Sequence, residues 1–388
     1  NISVNQAFLI IKNGINSYNR NGVSADGTNS VNMDIFNNDF IRKYDDFNND
    51  EDLRYVKKLA GKADIIIENF KVNGLRKFGL DYKTLKKINA KLIYCSITGF
   101  GQTGPDAHRV GYDLIIQAMG GIMDITGEPD QEPQKPGVAY ADIFTGLYSV
   151  IGIQSALISR SLSGQGCHID MALFDTQLGV LANQAVSFFY SGVIPKRMGN
   201  AHPSIVPYQQ FKTKDGSIII ACGNDNQFIQ FCMALNWTYH LDVRFETNRN
   251  RLKNRKLLVD ILEKEIAELD KKDLLQKLKV AGVPAASINN IKEAFHEKQA
   301  LHRGLVSSAD KEPLLRTPLL FDNLELNYQF PAPNLGDHTE LIKKDQLVNT
   351  INQSDCLLEV EFLVGTIPYT VKRGIKPNLF EIYKNNKL

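Results

Sequence analysis

Ala139-Tyr140-Ala141-Asp142 stands at the head of a run that is apolar at helical spacing to about Ser161. A carboxylate there lies at the positive end of a helix macrodipole, which favours its ionised form. Ionised and held in place, it is a nucleophile toward an activated acyl group. Asp is also a preferred N-cap, so the same residue would equally serve to close the first turn. Glu68-Asn69-Phe70-Lys71 ends a β-branched run, with Arg76 and Lys77 just beyond. Basic groups outside the carboxyl end of a parallel strand suit phosphates; the alternative is a solvated basic face. Gly199-Asn200-Ala201-His202 is a third candidate, because small residues let backbone N–H groups approach a ligand and stabilise an oxyanion. The plain alternative is a linker. No carboxylate neighbour can be inferred for His168 or His202, so both read as polar surface or core histidines.

Gly99-Phe100-Gly101-Gln102-Thr103-Gly104 has G-x-G-x-x-G spacing, follows a strand-like run and has Asp124 twenty residues on. A dinucleotide site needs those glycines to open a helix whose N-terminus meets pyrophosphate. Pro105-Asp106-Ala107-His108-Arg109 reads as irregular loop instead, so NAD binding is the lesser reading.

The elements that must position these residues alternate in type. Asp52–Leu59 is apolar at helical spacing, and Ala63–Ile67 is a continuous run of the kind buried on both faces of a sheet. A helix at Tyr82–Ile88 and a second buried strand at Lys91–Ile97 follow. Strands alternating with helices imply a parallel sheet. Next come the Asp142–Ser161 helix, ended by Ser163-Gly164-Gln165-Gly166, a strand at His168–Ala172 and a helix at Leu173–Phe189. Pro195–Pro207 marks a domain boundary. Beyond it, Lys214-Asp215-Gly216 predicts a hairpin turn between Gln209–Thr213 and Ser217–Cys222, with amphipathic helices at 249–270 and 271–281. Pro313–Pro333 is turn-rich and is expected to return the chain to the first domain. Residues 1–50 are Asn-rich and weakly periodic, with one candidate strand at Ala7–Ile11.

With 388 residues, 43% apolar and 23% charged, the chain is long enough for two cores. A net charge of +2 provides no bulk field for nucleic acid or membrane. The five cysteines are dispersed and never spaced as metal ligands; Cys95 and Cys222 lie in apolar runs and read as buried small hydrophobes. That usage predicts a reducing, cytoplasmic compartment. No run reads as a membrane span or signal peptide.

Together these stretches resemble the class III CoA-transferases, the family of formyl-CoA transferase, carnitine CoA-transferase and α-methylacyl-CoA racemase. Ala63–Lys71 is similar to the family's strand and CoA-contact segment, and Leu92–Pro105 to its most recognisable run. Gly111-Tyr112-Asp113, Gln117-Ala118-Met119-Gly120-Gly121 and Thr126-Gly127-Glu128-Pro129 follow in family order. The likeness runs from about residue 52 to 345 and closes on Leu335-Gly336-Asp337-His338-Thr339. It implies an α/β fold: a doubly wound, parallel, Rossmann-like large domain plus a smaller α/β domain, in an interlocked homodimer. The corresponding division is 51–190 for the CoA-binding domain, 191–208 for a linker with the glycine loop, 209–295 for the small domain and 296–345 for the return segment. By the resemblance, Asp142 is the catalytic nucleophile and Asn69, Phe70, Lys71, Lys77, Arg109, Val110, Gly111, Tyr112 and Asp113 contact CoA. The Gly199–His202 loop supplies the oxyanion donors. CoA and acyl-CoA enter as substrates, with no tightly bound cofactor and no metal.

One position separates two chemistries. The racemase branch carries His where this chain has Tyr112, a phenol too weak as a base near neutral pH, so CoA transfer ranks above racemisation. Gly199–Gln209 with Phe211–Gly216 looks most like the succinyl-CoA:dicarboxylate branch, in which Lys196 and Arg197 are candidates to pair a distal carboxylate. Both ends depart from the family. Residues 1–50 lack its opening strand and glycine loop, and Val371–Tyr383, within a 346–388 tail, resembles a segment of phage SMC-like recombination endonuclease subunits. These ends suggest a chimeric reading frame and leave a second reading: an inert fragment that at most binds CoA.

Overall fold

The computed structural model describes residues 8–11, 47–48, 50–309, 312–322, 357–364, 367–374 and 379–384. The remaining part of the 1–50 segment, Cys356 and the 323–345 portion of the return segment lie outside the described residues.

Four strands form the sheet that carries the candidate site, in the order β1 (Phe8–Ile11), β2 (Ile65–Glu68), β3 (Ile93–Thr98) and β4 (His168–Ala172). β2, β3 and β4 run parallel, as the alternation of strands with helices predicts. β1 is the expected strand at 7–11, but it pairs antiparallel with β2, so the sheet is mixed rather than wholly parallel. Alternation along the strands divides their side chains between two clusters. Ile66 and Tyr94 pack with Val56 and Ala60 of the helix Asp50–Ala60, with Leu85 of the helix Tyr82–Ile88 and with Leu80 just before it. Ile65, Ile93 and Cys95 pack with Ile153 and Ala156 of the helix Tyr140–Ser163. Arg160 near the end of that helix ties it to the sheet. Its guanidinium pairs with Asp64 Oδ1 at 2.8 Å and donates to the Asp64 and Lys91 carbonyls at 3.1 and 3.0 Å. Gly164 in the left-handed conformation ends the helix as expected.

Tyr140–Ser163 is long and apolar enough to cross a membrane by length and composition, contrary to the reading from the sequence. Its inner face nevertheless lies in the core, with Ala141, Thr145, Ser149, Ile153 and Ala156 buried, the last two against the sheet. Its outer face leaves Leu147, Ile151, Ile158 and Leu162 exposed. The expected helix at 173–189 is two, Leu173–Gly179 and Ala182–Ser191, broken where Ala182 takes a left-handed φ of 47°.

The second unit has its own core. β5 (Tyr208–Thr213) and β6 (Gly216–Ala221) form the expected hairpin, and β7 (Ala285–Ser287) adds a third antiparallel strand. Phe211, Ile218, Ile220, Phe228, Leu258, Leu262 and Leu278 fill the space between this sheet and its helices. The helix expected over 249–270 is interrupted at Asn254, whose amide donates to the Asn250 carbonyl at 3.0 Å and to that of Arg244 at 3.2 Å. A hairpin of β8 (Val306–Ala309) with β9 (Glu312–Leu315) follows, and a meander of β10 (Leu357–Val364), β11 (Ile367–Gly374) and β12 (Leu379–Lys384) forms a separate sheet. Cys95 and Cys222 are fully buried, as expected, and burial pushes their thiols up to about 11 and about 12.

Arg251 holds the second unit to the chain that enters it. It is wholly buried, stacks over Phe228 at 4.5 Å and pairs with Asp225 at 2.7 Å. It also donates to the carbonyls of Val206 and Phe245 at 2.6 and 2.9 Å. Removing one partner of a buried ionic network strands the others. Arg251→Ala is therefore expected to lose roughly 3–5 kcal/mol of stability. Urea unfolding followed through Trp237, the single tryptophan, which packs on this core, checks it.

Candidate active site

Parallel pairing places the carboxyl ends of β2, β3 and β4 on one edge of the sheet, with Glu68 level with Ser96 and Thr98 level with Ala172. Three of the candidate segments leave from or meet that edge. Glu68 is buried, and its Oε2 accepts the Phe70 amide at 2.8 Å, which shapes the Asn69–Lys71 turn. Burial raises its carboxyl pKa, opposed by hydrogen bonds from Ser96 and from the Phe70 amide. Phe70 and Phe78 both pack on Phe47. Lys71 and Lys77 stay exposed, with Lys77 Nζ 4.5 Å from the Phe78 ring centre. A basic rim over aromatic rings thus stands where a phosphate-bearing ligand would meet the sheet.

Turns and bends, not a helix, follow Gly99–Gly104, and the next helix begins at Asp113. The dinucleotide reading fails on this point, because the phosphate-binding helix terminus it requires does not exist here. These glycines do a different job. A Cβ on Gly99 would sit 2.5 Å from Gly111 Cα, and one on Gly111 would sit 2.5 Å from Gly99 Cα. The two backbones touch, which folds the 99–112 loop back over the strand end. Asp170 of β4 accepts the Gln102 amide at 3.0 Å and holds the outer part of the loop. Arg109 stacks over Phe100 at 5.0 Å and pairs with Asp106 at 3.0 Å, while Val110 and Tyr112 are about half exposed.

Asp142 is not the N-cap. The helix begins at Tyr140, Ala139 caps it without a side-chain bond, and Asp142 lies in the first turn. The first-turn amides are met from outside: Asp113 Oδ1 accepts from Ala141 at 2.8 Å and from Asp142 at 3.3 Å. The Asp142 carboxylate is open to solvent on one side and walled by protein on the other. Desolvation first, and the Asp113 charge second, push its pKa up to about 6. The macrodipole argument predicted the opposite direction; packing and a like charge outweigh it.

The Gly199–His202 loop is held by its own amides. Gly199, with φ 57°, donates to the Gly127 carbonyl at 2.9 Å, Ala201 to Met198 at 3.0 Å and His202 to Tyr208 at 2.9 Å. Three of the four expected oxyanion donors therefore serve the loop itself in this conformation. The left-handed φ of Gly199 is what favours glycine at this position. Asn200 and Ala201 line a cavity of about 440 Å³ with Glu128, Gln209, Gln210 and Lys212. Arg197, expected to meet a substrate carboxylate, is mostly buried and paired with Asp124 at 3.0 Å. Lys196 remains exposed.

With this geometry in hand, comparison with known proteins decides the family. The sequence profile of CoA-transferase family III matches residues 45–339. The chain belongs to CoA-transferase family III. It is 48% identical over 299 residues to the succinate–glutarate CoA-transferase of Agrobacterium fabrum, covering 76% of this chain and 75% of that one. The mouse succinyl-CoA:glutarate CoA-transferase is 40% identical over 301 residues, covering 76% and 69%. A crystal structure of a CAIB/BAIF family protein from Brucella suis superposes with a TM-score of 0.70 at 53% identity, covering 77% of this chain and 80% of that one. The CoA-transferase fold is thus a mixed α/β structure in which β2, β3 and β4 run parallel, and thioesters of CoA are the family's substrates.

Two sets of contacts in this CoA-transferase were not legible in the sequence. Glu68 was legible as a carboxylate ending a buried strand, but its bond to Phe70 was not. His168 Nε2 lies 2.9 Å from Ser96 Oγ, and its ring stacks on Tyr82 at 5.1 Å. Burial lowers its pKa, opposed by Asp170. The Gly99–Gly111 contact yields a direct test. Gly111→Ala is expected to cost about 1–3 kcal/mol, the price of overpacking, and to raise the apparent KM for acyl-CoA as the loop is displaced. Thermal unfolding together with steady-state kinetics reads both.

Proposed function

We propose that this CoA-transferase moves CoA from succinyl-CoA to a dicarboxylate acceptor of the glutarate type through a covalent intermediate on Asp142. The observation that carries the reading is an accessible carboxylate in the first turn of a helix, with its pKa near 6 and therefore ionised at neutral pH. The names of the relatives support the substrate class. An Asp142 oxygen attacks the thioester carbon; the C–S bond breaks and CoA leaves as thiolate with the electron pair. The thiolate then attacks the Asp142 carbonyl of the mixed anhydride and releases succinate, leaving an aspartyl-CoA thioester. The acceptor carboxylate attacks this thioester, giving a second anhydride and free thiolate, which takes the new acyl group and restores Asp142. Each step exchanges bonds of similar energy, so positioning suffices where strong nucleophilicity is lacking. Asn69, Phe70, Lys71, Lys77, Arg109, Val110, Gly111 and Tyr112 hold CoA beside the sheet edge. The amides of Gly199–His202 serve as oxyanion donors once the loop rearranges around substrate.

Tyr112 favours transfer over racemisation, since a phenol is a weak base near neutral pH. The doubly wound large domain and the interlocked homodimer belong to the same reading. The exposed stripe of Leu147, Ile151, Ile158 and Leu162, with the exposed Phe189 and Tyr190, is the apolar surface a partner copy would cover. Sedimentation of the chain as a dimer is the expected outcome; a monomer at micromolar concentration would remove that part. Free Cys95, Cys167, Cys222 and Cys232 support a reducing, cytoplasmic compartment.

Intact-protein mass spectrometry after incubation with succinyl-CoA is expected to show a covalent CoA or acyl adduct, absent from Asp142→Asn. Because the pKa is raised, the carboxylate is lost as pH falls through about 6 rather than about 4. Adduct formation should fall about tenfold per pH unit below that point. No adduct on folded protein at saturating donor would return the reading of a chain that only binds CoA.

A further inference from the structure

Both carboxylate oxygens of Asp113 are engaged inside the protein. Oδ1 accepts the amides of Ala141 and Asp142, and Oδ2 accepts Gln117 Nε2 at 2.6 Å. Gln117 is fully buried, so the second contact is fixed from the core. First-turn amides of a helix have no intrahelical acceptor, and the N-cap side chain ordinarily supplies one. Ala139 has no side-chain acceptor to offer. Asp113 fills that place from 28 residues upstream, on another helix. Its oxygens point at protein donors, which leaves it ill placed to receive a donor from CoA.

We propose that Asp113 is the positioning residue for the Asp142 nucleophile, an external cap that fixes the turn carrying the reacting carboxylate, rather than a contact for CoA. The proposal rests on the reading of Asp142 as nucleophile. It adds a link between geometry and ionisation, because the anion that orders the turn also lies against the Asp142 charge. Of the elements packed on the Tyr140–Ser163 helix, the neighbouring helices bring Asp113 and Asp175 and β3 brings Cys95, while Tyr94 and His168 lie on the opposite face of the sheet against Tyr82. Of these, Asp113 is the group whose charge acts on Asp142.

Two variants separate the two effects. Asp113→Asn keeps a carbonyl oxygen for the amides and removes the charge; Asp113→Ala removes both. Amide hydrogen exchange at Ala141 and Asp142 reads the cap, and the pH profile of succinyl-CoA adduct formation reads the reaction. In Asp113→Ala the two amides should exchange about five- to tenfold faster, as loss of a helix cap requires. The adduct rate should fall at every pH, with its dependence on donor concentration unchanged. In Asp113→Asn, exchange should stay near that of the parent protein while the acid limb moves to lower pH, since the like charge is gone. A raised donor KM in Asp113→Asn with an unmoved acid limb would mark a CoA contact and overturn the proposal. Unchanged exchange in Asp113→Ala beside a normal parent adduct overturns the proposal as well. No adduct on the parent removes the nucleophile reading, and the positioning role falls with it.

Discussion

Parallel pairing of β2, β3 and β4 is the constraint from which the site follows. Parallel strands must be linked by crossovers, so their carboxyl ends open on one edge and their connecting loops gather there. Burial on both faces requires helices on both faces, and the Tyr140–Ser163 helix is one of them. Its inner residues are chosen by the sheet, with Thr145 and Ser149 returning their hydroxyls to the helix's own carbonyls at 2.7 and 2.8 Å. Once that helix is docked through Ile153, Ala156 and Arg160, the position of its first turn is set, and with it Asp142.

Around that turn the protein accepts an electrostatic conflict. A helix N-terminus draws a negative charge, and here two carboxylates share it. Asp113 takes the first-turn amides, and the Asp142 carboxylate lies against its charge. The result is a carboxylate that is harder to ionise than an isolated Asp, yet still anionic at neutral pH. Glycine makes a comparable contribution without charge. At Gly99 with Gly111, a side chain would hold apart segments that must touch. Loop shape at this edge therefore depends on missing side chains as much as on present ones.

Legibility varied with range. Buried strands, the 214–216 turn and the Asp142 helix were readable because they rest on local periodicity and turn chemistry. The break at Asn254 and the left-handed Ala182 were not, since competing side-chain bonds and backbone strain do not disturb the apolar pattern. The G-x-G-x-x-G spacing misled for a related reason: spacing records where glycines lie, not which backbone they face. Arg197 read as a free cation and is in fact held by Asp124, seventy-three residues away in sequence.

By itself, the sequence determined the family, the alternation of strand and helix, and the identity of the candidate nucleophile. Those depend on residue order and on short-range pattern. Only the tertiary structure decided which groups meet: Asp113 over the first turn, Gly99 against Gly111, Glu68 beneath Phe70. It also decided the direction of the Asp142 pKa, because desolvation and like-charge repulsion depend on distances through space that the order of residues does not contain.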